Sequence, residues 1–112
     1  MAQLATKNIT VDTAATEIFS LSGATFRDND LKVTLQAAGT FGSGTLSYLI
    51  SLDGGTNKVP VEAVVGTAYT TTTGSLVSLN LPIVGATDKI IVYAALSGAT
   101  APDIFIIPVT NQ

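Results

Sequence analysis

Between Leu31 and Ala37 the chain alternates strictly: Leu31, Val33, Leu35 and Ala37 are apolar, and Lys32, Thr34 and Gln36 between them are polar. A period of two puts each set on its own side of a pleated backbone, so the segment predicts a β-strand with one buried face. Residues 45–52 repeat the pattern, with Leu46, Tyr48, Ile50 and Leu52 inward, Thr45, Ser47 and Ser51 outward, and Leu49 as the exception. Val59, Val61, Ala63 and Val65, with Glu62 opposed, predict a third strand, and shorter runs follow the same rule at 8–11, 17–21 and 77–81. Two strongly apolar runs, 89–96 and 103–109, lie near the end of the chain. About eight strands in 112 residues predict an all-β, single-domain antiparallel β-sandwich over 1–112, jelly-roll or Ig-like, with almost no helix.

The connections fit that class. Asp53-Gly54-Gly55-Thr56-Asn57 separates two alternating runs, and Asp-Gly is a strong hairpin signal because the turn needs positive φ, so residues 45–65 predict a hairpin. Ser51-Leu52-Asp53-Gly54-Gly55 also matches the opening of the Asp-box pattern, Ser-x-Asp-x-Gly-x-Thr-Trp, although Asn57 and Lys58 stand where Thr and Trp belong. In either case an Asp at such a turn bonds backbone amides, which makes Asp53, Gly54 and Gly55 structural turn residues and gives Asp53 no catalytic role. Gly39-Thr40-Phe41-Gly42-Ser43-Gly44 lacks the following helix and the Lys of a phosphate-binding loop and reads as a plain connection. Leu21-Ser22-Gly23-Ala24-Thr25 recurs as Leu96-Ser97-Gly98-Ala99-Thr100, which reads as repeated strand-to-turn chemistry because the flanking residues do not match.

The last two strands break the one-sided rule. In 90–96, Ile90, Val92, Ala94 and Leu96 share one face while Ile91, Tyr93 and Ala95 share the other; in 104–107, Phe105 and Ile107 oppose Ile104 and Ile106. A sandwich buries one face per strand, so a second apolar face needs its own cover. If Ile91, Tyr93, Phe105 and Ile107 lie together on one outer face, they form an interface patch; the competing reading is that residues 2–6 or a loop of the same chain fold over it.

Composition narrows the chemistry. With no His, Cys or Trp there is no imidazole or thiolate for nucleophilic or metal chemistry, no disulfide, and few aromatics to wall a sugar cleft. Asp28-Asn29-Asp30 lacks the spacing of an EF-hand calcium loop and reads as a solvated turn. These residues indicate a protein that is not an enzyme and carries no cofactor and no metal. Five Lys and Arg against eight Asp and Glu leave a net charge of −3, with the basic residues scattered singly, which disfavours nucleic acid as a partner. Residues 63–87 are uncharged, but Thr70–Thr73, Gly74, Ser75, Asn80 and Pro82 interrupt them, so no membrane span is expected. Residues 1–10 lack the basic and apolar regions of a signal peptide, which points to synthesis in the cytoplasm.

Taken together, the stretch 38–46, the turn Ser51-Leu52-Asp53-Gly54-Gly55-Thr56 and the closing 96–104 run resemble small β-rich virion proteins of tailed bacteriophages, some of which are capsid decoration (cement) proteins. The resemblance covers roughly residues 30–109 and rests on turn motifs. It implies an oligomeric, often trimeric β-sandwich located on the virion, made in the host cytoplasm, whose partners are its own copies and the major capsid protein. The alternative is a tail-associated or adhesin-like β module whose loops near Phe41 or Tyr69 contact host-surface glycan.

Overall fold

A computed structural model describes residues 2–22, 31–64, 66–81 and 89–110. Twelve strands run in chain order: β1 (Ala2–Gln3), β2 (Lys7–Ile9), β3 (Thr13–Ser22), β4 (Leu31–Thr40), β5 (Thr45–Ser51), β6 (Val59–Pro60), β7 (Glu62–Val64), β8 (Thr67–Ala68), β9 (Thr70–Thr71), β10 (Ser75–Leu81), β11 (Lys89–Ser97) and β12 (Asp103–Thr110). There is no helix among the described residues, and so none that could cross a membrane.

Two antiparallel sheets hold the long strands. Sheet A has the order β1-β12-β4-β10, with β2 also on β12, and sheet B the order β3-β11-β5-β6, with β9 also on β5; β7 and β8 form a separate ribbon. Successive long strands alternate between the sheets, so β3 joins β11, β4 joins β12 and β10, and β5 joins β11, all far apart in sequence. With the short pieces grouped as single strands, this is the order of an eight-stranded jelly roll. An Ig-like sandwich pairs several strands with their sequence neighbours and is set aside by this order.

The alternation read from the sequence is the burial pattern of the core. Val33, Leu35, Ile104 and Ile106 of sheet A meet Leu46, Tyr48, Ile90 and Val92 of sheet B, each with no exposed surface. Ile18 is the extra residue where β3 shifts register against β11, and this bulge lets both Ile18 and Phe19 enter the core. Pro108 sits inside a strand paired on both sides. Its carbonyl accepts from Leu4 N–H at 2.8 Å, so the N–H it lacks is the one that would have answered the Leu4 carbonyl, and β1 ends where that reciprocal bond is absent.

The hairpin from 45 forms, with Leu49 opposite Pro60 and Ile50 opposite Val59, but its return strand breaks at Val61, which is buried between Tyr48 and Tyr69 through backbone bonds of 2.9 and 2.7 Å. Val59 and Leu52, expected inward, are 60% and 43% exposed because the strand pairing ends beside them and the chain turns away from the inter-sheet space. Val65 lies outside the described residues.

Candidate functional site

Part of the outer face of sheet B is covered by the chain itself, at Ile91 and Tyr93. Ser51, the last residue of β5, is buried; its Oγ donates to Asp53 Oδ1 at 2.7 Å and accepts the Gly55 N–H at 2.8 Å. Asp53 Oδ1 also accepts the Asn57 N–H at 2.9 Å, and Oδ2 accepts from Asn57 Nδ2 at 2.7 Å. Lys58 Nζ donates to the Gly55 carbonyl at 3.3 Å and stands 5.0 Å over the Tyr93 ring. Asn57 and Lys58, the two residues that depart from the Asp-box pattern, therefore close this turn.

These bonds hold the exposed Asp53 carboxyl down at about 2, first through the Asn57 backbone N–H and then through the Ser51 and Asn57 side chains. A carboxyl depressed in the fold favours the folded turn above its ordinary range near 4 and loses that contribution as pH falls through about 2. The Asn57 amide resonance should therefore titrate with a midpoint near 2 and stop titrating in Asp53→Asn; a midpoint near 4 would mean that the carboxylate is not bonded in solution.

The turn lies directly on the late apolar strand. A Cβ at Gly55 would sit 2.9 Å from Tyr93 Oη and 3.7 Å from Ile91 Cδ1, so the turn backbone lies against both side chains, and its φ of +100° is what favours glycine there. Ile91 and Tyr93 are consequently 6% and 9% exposed. Phe105 and Ile107 belong to β12, in the other sheet. The four apolar residues are thus divided between opposite outer faces, and a loop of the same chain covers the Ile91 and Tyr93 pair. Residues 2–6 do not cover it, since β1 pairs along the edge of β12 instead.

The outer face of sheet A is open. Cross-strand register aligns Asn8, Phe105 and Ala38 in one row, Ile107, Gln36 and Leu76 in the next, and Gln3, Val109, Thr34 and Ser78 in a third. Phe105 is 41% and Leu76 68% exposed, and the polar residues between them are uncharged. Thr34 and Ser78 share a hydroxyl hydrogen bond of 3.1 Å, and Asn8 Nδ2 donates to Asp103 Oδ1 and the Ile104 carbonyl, both at 3.0 Å. Charge stands at the margins of the described face, at Asp103 and at Lys32. The run 77–81 expected from the sequence stops short of Leu76; an apolar residue in phase with Ser78 and Asn80 is the signal that marks it.

The loops near Phe41 and Tyr69 turn their rings inward. Phe41 is buried, and Tyr69 is half-buried, stacked on Tyr48 with centroids 5.9 Å apart while its hydroxyl donates to Ser75 Oγ at 2.9 Å. The Tyr48 hydroxyl is buried and has no hydrogen-bond partner among the described residues, and desolvation first, then Tyr69, pushes its phenol upward. The second copy of the Leu-Ser-Gly-Ala-Thr motif presents the Gly98 and Ala99 N–H groups to the Asp12 carboxylate, each at 3.1 Å. Asp28, Asn29 and Asp30 lie outside the described residues. Among the described residues no three acidic side chains come together as a metal site would need.

No protein-family model matches the chain, and no curated protein matches it. Among solved structures, the chain is similar over 98% of its length to 30% of a chain in the structure of infectious bursal disease virus, Gx strain, with a TM-score of 0.47 and 13% identity. It spans less than a third of that chain.

Proposed function

We propose that this jelly roll is a non-enzymatic virion structural protein, a decoration protein of a tailed-phage head that self-associates and lays the outer face of sheet A on the major capsid protein. The observation that supports this reading is that face: a sheet surface with Phe105, Ile107 and Leu76 outward and uncharged residues between them, on a chain whose other apolar outer pair, Ile91 and Tyr93, is already covered by its own turn. The turn motifs that resemble phage virion proteins supply the partner. Removal of apolar area from water contributes about 25 cal/mol per Å², and a surface that binds the assembled shell better than free subunits stabilises the shell by that difference. No bond needs to be made or broken.

Heads of the encoding virus assembled without the chain should bind it from solution. Phe105→Asp should weaken that binding about tenfold or more, by burying an unpaired charge. Because Phe105 is already 41% exposed, the thermal midpoint of the variant should stay near the parent's. Heads that never retain the chain would overturn the decoration role, and binding unaffected by Phe105→Asp would move the contact off sheet A.

A further inference from the structure

A sheet edge leaves a row of backbone N–H and C=O groups unpaired, and proteins that stay monomeric blunt their edges with charges, proline, bulges or very short strands. Among the described residues, three of the four edges of sheets A and B are blunted in these ways. β3 carries Glu17 and two register shifts; β6 and β9 are two residues each, with Pro60 in β6; β1 and β2 are two and three residues, with Lys7 in β2. β10 is different. It runs seven residues, Ser75-Leu76-Val77-Ser78-Leu79-Asn80-Leu81, with no charge and no proline, and it pairs with β4 at every position without a register shift. Among the described residues no strand pairs with its far side.

We infer that two copies of the chain join through β10, antiparallel about Ser78, so that their two A sheets become one continuous sheet. A row of alternating donors and acceptors is completed by another strand, and the composition of β10 says which. Paired residues in an antiparallel ladder point to the same face, so a two-fold axis must pass through one residue paired with itself. Centring on Ser78 engages the whole strand from Ser75 to Leu81, whereas centring on Val77 or Leu79 leaves two residues over. About Ser78, Val77 faces Leu79 of the second copy on the core side, Leu76 is opposite position 80 in the register, and the small neutral Ser78 meets itself. A chain of net charge −3 thereby meets its copy along a stretch with no charge of its own. The exposed Leu76 and Phe105 and the half-buried Ile107 of both copies then lie on the same side of the joined sheet, which doubles the surface offered to a shell.

This inference rests on the self-association proposed above, and the two fail separately. Light scattering on the full chain should give a mass built from dimers at micromolar concentration. Ser78→Lys and Ser78→Asp each put like charges on the two-fold axis and should weaken association about tenfold or more. Ser78 is exposed and gives up only its bond to Thr34, so the melting temperature should hold. Mixing the two variants should restore the dimer, as a one-to-one pair by native mass spectrometry. A parent chain that stays monomeric overturns the self-association and the β10 contact together. An oligomer indifferent to Ser78→Lys leaves self-association standing and overturns the β10 contact. Single variants that dissociate and do not recover on mixing overturn the Ser78-centred register.

Discussion

Gly42→Val should cost more than about 3 kcal/mol and leave little folded chain, because a domain of this size has roughly 5–15 kcal/mol in all. Gly42 has φ of +59°, where a β-branched residue is an outlier, and a Cβ there would fall on the Thr100 carbonyl oxygen. The colliding atom belongs to backbone, so no rotamer change relieves the contact. The backbone in turn is fixed: Thr100 N–H donates to the Gly42 carbonyl at 2.8 Å, and Gly44 N–H donates to Phe41 at 2.9 Å. This contact ties the β4–β5 connection to the β11–β12 connection, and so links the two sheets at one end of the sandwich. Urea or thermal melts measure the effect. A variant within about 1 kcal/mol of the parent would show that the two connections are free to separate.

That contact also shows why the stretch 39–44 is only half legible. Gly39 and Thr40, expected in the connection, extend β4 and pair with Ile104 and Asp103, so the turn is 41–44, and spacing alone does not reveal that Gly42 is required by a carbonyl 58 positions later, at Thr100. The strands themselves were legible because alternation is a local property: β4 buries Val33, Leu35 and Ala37 as its pattern demands, and β12 buries Ile104 and Ile106. Their order in the sheets was not. Each long strand of a jelly roll finds its partner across the chain, so a local pattern serves jelly-roll and Ig-like orders equally, and only the pairing of β3 with β11 and of β4 with β12 separates them.

The same limit applies to the candidate surface. Two-sided apolar character in 90–96 and 104–107 marks two strands whose second face is apolar, and the structure treats them differently: the chain covers that face on one and leaves Phe105 exposed on the other. Tyr93 and Ile91 are covered because Ser51, Asp53 and Asn57 fold residues 52–58 back over β11, whereas nothing among the described residues folds over Phe105. The turn was legible as a turn. Where it lies depends on the β5–β11 register, which sets Ser51 beside Ile91 and Leu49 beside Tyr93. Leu76 carries the complementary lesson: one apolar residue in a polar phase is weak evidence alone and becomes informative once register places it beside Gln36 and Ile107.

Tyr93→Ala should be the second damaging change, and it separates cover from interface. Removing a large aromatic that is 9% exposed leaves a cavity and forfeits its contacts, at a cost of about 3–5 kcal/mol for changes of this class. The lower end applies here, because one wall of the site is a turn able to settle into the space. The turn itself should loosen: Gly55 loses the hydroxyl it packs against, and Lys58 loses the ring beneath its ammonium group. Hydrogen exchange at the Gly55 and Asn57 amides should accelerate beyond what the global loss of stability accounts for, while Leu76 and Phe105 on sheet A keep their surroundings. Full protection at those amides, with a cost under about 1 kcal/mol, would mean that Ser51, Asp53 and Asn57 hold the turn without Tyr93. By the same geometry Tyr93→Asp places a carboxylate under the turn, so any loss of oligomer it causes reports a damaged fold, and a test of assembly belongs at Ser78 or Phe105.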